Sequence, residues 1–309
     1  MIEAVAPIIL LIGLGVVVAW RELLTSEGVG HVSNLTFRVF IPALLFHAMS
    51  HANLSALAWQ VPLAYFSATV LLFLAYFFWQ VWRGRSRQEA IVRSLGVTFP
   101  NTVMLGIPVV TVAYGQAGLT ALLPILALNA LIMLGGPSVL IEASAARSGR
   151  YSGLAGALLT VRRAVLHPFV LAILAGLLWS GLQLPLPASL DKALAMMSAA
   201  APPICLVVLG ASLADQFSAK SVSQALPESA IKLLIHPALV WVVGYFVVGL
   251  ESVELAVVTV LGAIAAGANV VLFAHRYQVA IGQVSAVTAS TTALGLLTLP
   301  VVLLLVRPN

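Results

Sequence analysis

The stretch "TFPNTVMLGIPVV", Thr98–Val110, lies inside a long apolar run and decides how the fold is interpreted. It holds Pro100 and Pro108, with Asn101 and Gly106 between them. Proline removes a backbone hydrogen bond from a helix and clashes with the preceding turn. In lipid, the freed carbonyl groups need other partners or a wet cavity. The stretch therefore predicts a functionally broken membrane helix, with an ordinary proline kink as the plainer alternative.

The composition predicts a membrane protein with several spans. Of the 309 residues, 61% are hydrophobic and 8% are charged, whereas a soluble domain carries about 25% charged residues. The N-terminal "MIEAVAPIILLIG" has Glu3 where a signal peptide has basic residues, so it is predicted to be the first span. The lone Cys205 excludes an intrachain disulfide. The net charge of +5 is assigned to the positive-inside bias, and no nucleic-acid partner is expected.

Apolar segments of about 20 residues, the length needed to cross a bilayer, divide the chain into ten predicted spans. The fold class is therefore an all-α membrane protein, with the lipid bilayer as its surroundings. The one long connection is 142–163. The predicted spans are 4–20, 33–50, 56–82, 89–114, 118–141, 164–181, 193–214, 228–249, 254–277 and 283–306.

Basic residues collect in the loops of one side of the predicted bundle. That side is predicted to be cytoplasmic, which places both termini outside the cytoplasm in a cell inner (plasma) membrane. Arg38, Arg93 and Lys232 lie inside spans near the cytoplasmic ends. They are expected to snorkel toward water and are not counted as substrate ligands. The cytoplasmic loops hold Arg21, Arg83, Arg85, Arg87, Arg147, Arg150, Arg162, Arg163, Lys220 and Arg276.

The two halves of the chain resemble each other. Pro7–Trp20 in span 1 matches Pro168–Trp179 in span 6, and in spans 5 and 10 Asn129 and Thr292 each precede a proline by eight residues. Since the offset is five spans, an odd number, the second half enters the membrane from the opposite side. Inverted repeats with a binding site near the midplane are typical of secondary transporters. Shared composition of membrane helices is the alternative.

By this repeat, span 9 is the partner of span 4. Asn101 and Asn269 occupy the middle of the two spans, and span 9 has Gly262 and Gly267 in place of proline to supply flexibility. A broken helix exposes the N-terminus of a half-helix, whose amide groups and positive dipole end attract an anion. Two such spans crossing at the midplane predict a carboxylate site built mainly from backbone.

The motifs "PNTVMLGIPVV" in span 4 and "GANVVLFAHRYQ" in span 9 resemble the auxin efflux carrier family, which is related to the bile-acid sodium symporters. The resemblance implies two inverted five-helix repeats whose broken helices 4 and 9 cross, and a homodimer through helices 2 and 7. It carries the crossover residues over to Asn101, Pro108 and Asn269, whereas the usual second crossover proline is missing. It implies a scaffold from 1–55 and 164–214, a transport domain from 56–141 and 215–309, and a cytoplasmic loop at 142–163.

The expected substrate site combines the crossover residues with polar side chains of the flanking spans. The latter, Asn129 and the Ser290–Thr292 run, either line the site or hydrogen-bond between helices. No cofactor is expected, and no metal, because the six histidines lack a recognised ligand spacing. The predicted substrate-binding residues are Asn101, Thr102, Gly106, Pro108, Asn129, Gly267, Asn269, Ser290, Thr291 and Thr292.

These features predict a secondary transporter of a small organic anion, such as an auxin-like or other carboxylate. The direction is predicted to be export, because a negative cell interior drives an anion outward. The alternatives are a sodium- or proton-coupled symporter, or a channel or receptor on the same fold. An enzyme is not expected, because no acidic residue lies in the middle of a span. No Asp or Glu falls among 95–135 or 256–306, which predicts transport without sodium.

Overall fold

The computed structural model describes residues 2–51, 58–146, 168–216, 223 and 225–306. These residues are helical, apart from short connections and one isolated antiparallel bridge between Pro100 and Ala266. The prediction of an all-α protein is confirmed for this part of the chain. Of the predicted cytoplasmic loop 142–163, the first five residues belong to a helix that ends at Ala146, so the predicted start of the loop is too early. The rest of the loop lies outside the described residues.

Fourteen α-helices and five π-helical segments make up the described chain. The α-helices are α1 (Ile2–Trp20), α2 (Ser26–Leu35), α3 (Ile41–Ser50), α4 (Gln60–Trp82), α5 (Arg87–Thr98), α6 (Ile107–Ala130), α7 (Gly136–Ala146), α8 (Pro168–Gly181), α9 (Ala188–Gln216), α10 (Leu226–Ala230), α11 (His236–Val242), α12 (Ser252–Ala263), α13 (Ala268–Tyr277) and α14 (Ile281–Leu305). The π-helical segments are Thr36–Phe40, Thr102–Gly106, Leu131–Gly135, Ile231–Ile235 and Val243–Val248.

Six helices of the described chain are long and apolar enough to cross a membrane. Three shorter apolar helices accompany them: Ala6–Trp20, Pro168–Gly181 and Ser252–Ala263. A multi-pass membrane protein is therefore supported, whereas the count of ten spans stays a prediction. The six long helices are Glu27–Ser50, Gln60–Trp82, Thr102–Asn129, Ala188–Ser212, Leu226–Val248 and Ile281–Leu305.

Within α6 the chain turns back on itself at Gly115, so the long segment Thr102–Asn129 consists of two shorter helices. This residue has φ 61° and ψ −146°, a backbone conformation that favours glycine. A methyl group on Gly118 would lie 3.1 Å from the carbonyl oxygen of Val110, although residues eight apart in a straight helix are separated by about 12 Å. The residues before and after Gly115 therefore lie side by side, at the boundary predicted between spans 4 and 5.

Close helix pairs hold the first and third quarters of the chain together. Helix α1 packs along α9, and α3 packs along α8. Gly15 of α1 meets Gly210 of α9 with no room for a side chain on either. Similarly, a methyl on Gly176 of α8 would lie 2.6 Å from Cβ of Met49 in α3. Small residues let membrane helices approach closely and gain dispersion energy.

A buried ionic cluster joins four other helices, and it corrects one expectation. Arg93 does not snorkel: its side chain is 13% exposed, and its guanidinium lies 3.1 Å from Glu89 and 3.3 Å from Glu228. The Glu228 carboxylate also accepts hydrogen bonds from Tyr76 Oη (3.3 Å) and Gln283 Nε2 (3.0 Å). Pairing keeps these charges inside the protein because an unpaired buried charge is costly.

Candidate functional site: the crossing of two broken helices

The first break lies between α5 and the π-helical segment Thr102–Gly106. Residues 99–101 are not helical, and the Asn101 Oδ1 atom accepts a hydrogen bond from Met104 N at 3.3 Å. Asn101 is therefore the N-cap of the second half-helix, which is a favoured role for asparagine. Pro108 lies beyond the break, buried near the start of α6. The predicted interruption is present, at the first of the two prolines.

The second break separates α12 from α13 and contains no proline. Ile264 and the N-cap Gly267 have extended backbone conformations. Gly267 has φ −79° and ψ 142°, which any residue adopts, so the break does not use a glycine-only backbone conformation at this residue. Glycine is required there for space instead. A methyl group on it would lie 2.9 Å from both the Phe99 ring and the Pro100 carbonyl oxygen.

The two breaks meet and bind each other through their backbones. Asn101 N donates to the Ala265 carbonyl oxygen at 2.8 Å, and Gly267 N donates to the Phe99 carbonyl oxygen at 3.0 Å. These bonds flank the Pro100–Ala266 bridge. Each non-helical segment thus provides hydrogen-bond partners for backbone groups of the other. Irregular backbone inside a membrane requires such partners. The predicted meeting of the two broken helices is present in the structure.

Two of the three predicted site residues of α14, Ser290 and Thr291, form hydrogen bonds with other parts of the chain. Thr291 Oγ1 accepts a hydrogen bond from Ala266 N at 3.0 Å, and Ser290 Oγ accepts one from Ser229 Oγ at 2.8 Å. Both are hydrogen bonds between elements, the second of the two alternatives considered for them. Thr292 lines a different, apolar cavity of about 350 Å³ beside α1.

Lys232 lies on the π-helical segment Ile231–Ile235, and its side chain contacts the C-terminal end of α12. It is fully buried, so the expectation that it snorkels is wrong. Its Nζ donates to the Gly262 carbonyl oxygen at 2.6 Å and lies 3.1 Å from His236 Nδ1. His236 Nε2 lies 3.0 Å from Thr69 Oγ1, which itself donates to the Tyr65 carbonyl oxygen. The Lys232 amino group therefore donates a hydrogen bond at the negative dipole end of the first half-helix of this pair.

A cavity of about 360 Å³ opens beside the two breaks. Five of the ten predicted site residues line it, whereas Gly106, Pro108 and the three residues of α14 do not. Asn129 is buried there, and its Oδ1 atom has no hydrogen-bond partner among the described residues. The lining residues are Phe37, Arg38, Phe99, Pro100, Asn101, Thr102, Val103, Met104, Asn129, Pro168, Phe169, Gly267, Ala268 and Asn269.

Arg38 is the cavity residue that sequence reasoning set aside. It lies on the π-helical segment Thr36–Phe40, and its exposed side chain lines the cavity. One feature of the sequence and one of the structure mark Arg38 as a functional candidate. A charged residue inside an apolar span is a functional candidate by default, and π-helical turns are frequent at functional sites.

The cavity is suited to an anion. The helical segments that begin at Thr102 and at Ala268 both start at its wall. The first amide groups of a helix have no acceptor within that helix, and they carry the positive end of its dipole. The Arg38 guanidinium adds a planar set of donors that matches a carboxylate.

Comparison with known proteins identifies the family. The family model described as membrane transport protein matches residues 1–151 and 154–303. The chain belongs to this membrane transport protein family. The match covers both broken helices and nearly the whole sequence.

Two relatives illustrate the range of the membrane transport protein family. An uncharacterized transporter from Methanothermobacter thermautotrophicus is 24% identical over 301 residues, which cover 96% of each chain. Auxin efflux carrier component 8 from Arabidopsis thaliana is 23% identical over 328 residues, covering 90% of this chain and 89% of its own. The resemblance to the auxin efflux carriers is therefore confirmed.

Proposed function

We propose that this protein is a secondary transporter that exports a small organic anion, which binds in the crossover cavity during alternating access. The observation that carries the proposal is the convergence of two half-helix N-termini and Arg38 on one cavity of about 360 Å³. Membership of the membrane transport protein family supports transport rather than an enzymatic reaction.

The cavity walls favour a carboxylate with an apolar body. The carboxylate binds the Arg38 guanidinium and the amide groups at the helix N-termini, through charge-assisted hydrogen bonds. Phe37, Phe99 and Phe169 supply an aromatic wall for the rest of the molecule. The volume lies at the lower end of the range for small-molecule sites, about 300–1,000 Å³.

The proposed architecture is ten helices in two inverted five-helix repeats. Two helix contacts support it, because Gly15 meets Gly210 and Gly176 meets Met49. The difference between 176 and 15 is 161, and so is the difference between 210 and 49. The same contact is thus formed twice, with the halves exchanged. A scaffold from predicted spans 1, 2, 6 and 7 and a transport domain from the remaining spans are part of this proposal.

The distribution of basic residues supports an inner (plasma) membrane orientation with both termini outside the cytoplasm. A homodimer through helices 2 and 7, here Ser26–Ser50 and Ala188–Gln216, is part of the same proposal.

Transport is proposed to be independent of sodium. Half-helix C-terminal ends and unwound carbonyl groups are the usual sodium ligands in transporters. At the end of α12, the Lys232 Nζ atom already donates a hydrogen bond to the Gly262 carbonyl oxygen, so this carbonyl is not free to bind sodium. An anion that is carried without sodium moves with the membrane potential, which contributes about 2.3 kcal/mol per charge per 100 mV.

Flux of organic acids in proteoliposomes tests the proposed function. We expect saturable flux with counterflow, and a loss of at least about tenfold in Arg38→Gln, because a charge-assisted hydrogen bond contributes about 1.5–3 kcal/mol. Arg87→Gln, at the exposed start of α5, is the matched control and should transport as wild type. Flux that does not saturate would indicate a pore, and wild-type flux in Arg38→Gln would remove Arg38 from the site.

The coupling is tested separately. Anion flux is measured at fixed voltage, with sodium replaced by potassium or choline on both sides of the membrane. We expect unchanged flux. Loss of flux that returns when sodium is restored would contradict the proposal that transport is independent of sodium.

A further inference from the structure

Two histidines and an aspartate converge far from the crossover along the sequence, where α3 ends against the start of α9. His47 and His51 are four residues apart and so lie on one face of the C-terminal end of α3. Asp191 lies in the first turn of α9. His47 Nε2 is 3.1 Å from Asp191 Oδ1, and His51 Nε2 is 3.4 Å from the same oxygen. All three side chains are partly exposed, so water and ions reach them.

The hydrogen bond of His51 determines which of its nitrogen atoms is free. His51 Nδ1 lies 2.9 Å from the His47 carbonyl oxygen, which can only accept, so Nδ1 carries the hydrogen. In the neutral ring, Nε2 therefore presents a lone pair to the Asp191 carboxylate. Two acceptors then face each other, unless the ring is protonated or a metal ion lies between them. A histidine whose second nitrogen donates to a backbone carbonyl is also the usual arrangement of a metal ligand.

The distances from each histidine nitrogen to Asp191 Oδ1 fit a shared metal ion. Zinc binds imidazole nitrogen and carboxylate oxygen at about 2.0–2.2 Å in tetrahedral geometry, so its ligand atoms are about 3.3 Å apart. The two distances to Asp191 Oδ1 lie on either side of that value. The three ligand atoms all lie within 4.8 Å of one another. Imidazole ligands select transition metals over calcium or magnesium.

We propose that His47, His51 and Asp191 form a divalent transition-metal site that joins the end of α3 to the start of α9. Three protein ligands leave the fourth position for water. No metal site was expected from the sequence, because the third ligand is 140 residues beyond His51 (191 minus 51). By the proposed orientation, the site faces the outside of the cell and takes its metal from there.

Zinc binding to the tag-free, full-length protein in detergent tests the site. After treatment with a chelator, titration calorimetry should show one zinc ion per chain, and zinc should raise the melting temperature. His51→Ala, His47→Ala and Asp191→Asn should each weaken binding by at least about tenfold, the smallest loss seen even for residues that only support a metal ligand. Cobalt should give the intense visible bands of four-coordinate ions in the wild type and lose them in the variants.

His31→Ala is the matched control, because His31 is an exposed histidine on α2. It should bind zinc as the wild type does. Excess calcium should leave the zinc titration unchanged, and displacement by calcium would contradict the class of metal. Absence of saturable zinc binding in the wild type, or unaltered binding in both His51→Ala and Asp191→Asn, would overturn the proposal. His51 is about half exposed, so its replacement leaves the fold intact.

Discussion

Apart from the backbone hydrogen bonds that join them, the two breaks of the crossover obtain partners for their backbone groups in different ways. The first has proline at residue 100 and the Asn101 side chain as a cap, all within four residues of sequence. The second has no proline, and its N-cap Gly267 has no side chain to offer. Its partners come from elsewhere, since Thr291 accepts from Ala266 N and Lys232 donates to Gly262 O.

This difference indicates that the second break depends on tertiary structure. An asparagine cap and a proline act on the chain that contains them. A buried amino group and a hydroxyl from other helices act only when those helices have packed. The predictions that follow test this contrast, in order of the expected loss of stability.

Gly267→Ala should have the largest effect. The added methyl group lies 2.9 Å from the Phe99 ring and the Pro100 carbonyl oxygen, so the two breaks must move apart. Overpacking of this kind costs about 1–3 kcal/mol, and we expect transport to be lost. Thermal unfolding in detergent and flux in proteoliposomes measure the two effects. Gly282→Ala is the control because a methyl there meets nothing within 4 Å; equal effects in both variants would contradict the argument.

Lys232→Met should destabilise the second break by about 2 kcal/mol, because the Gly262 carbonyl oxygen is left without its hydrogen-bond donor. The methionine keeps the apolar stem and fills the space. We expect a lower melting temperature and at least about tenfold slower transport. Lys192→Met, at an exposed lysine of α9, is the control. Wild-type stability and flux in Lys232→Met would show that the second break does not need the amino group.

Thr291→Val should cost about 1–2 kcal/mol, because the buried amide of Ala266 loses its acceptor while the side-chain volume is kept. Thr292→Val is a close control, since that hydroxyl donates to the Thr288 carbonyl oxygen of its own helix. Chemical unfolding of the two variants compares them. A larger loss in Thr292→Val would contradict the role assigned to Thr291.

The two asparagines should separate stability from transport. Asn101→Ala loses the cap of the first half-helix, worth about 1 kcal/mol, and a cavity side chain. Asn269→Ala loses a cavity side chain and should keep near-wild-type stability. Both should strongly reduce or abolish transport while the protein stays folded. Asn101→Ser retains the cap, so it should recover stability without recovering transport. Wild-type flux in both alanine variants would exclude the asparagines from the site.

Much of the architecture is determined by local sequence. Apolar runs of about 20 residues form helices in a bilayer, because a helix satisfies the hydrogen bonds of its own backbone N–H and C=O groups where no water is present. The first break follows from Pro100 and Asn101, and its position was predicted. The family follows from the two crossover motifs. The asparagines of both breaks and Asn129 were placed at the cavity for the same reason, since polar side chains inside spans have few other uses.

Other features depend on residues that only the tertiary structure brings together. The sequence predicts that all three basic residues inside spans snorkel. In the structure they have three different surroundings, because Arg93 pairs with Glu228, Lys232 donates to Gly262 O, and Arg38 lines the cavity. The cost of burying a charge depends on its partners, and those partners lie on other helices. The cluster of His47, His51 and Asp191 has the same origin. The sequence determines which charged and polar side chains lie inside the predicted spans, and helix packing determines which of them contact one another.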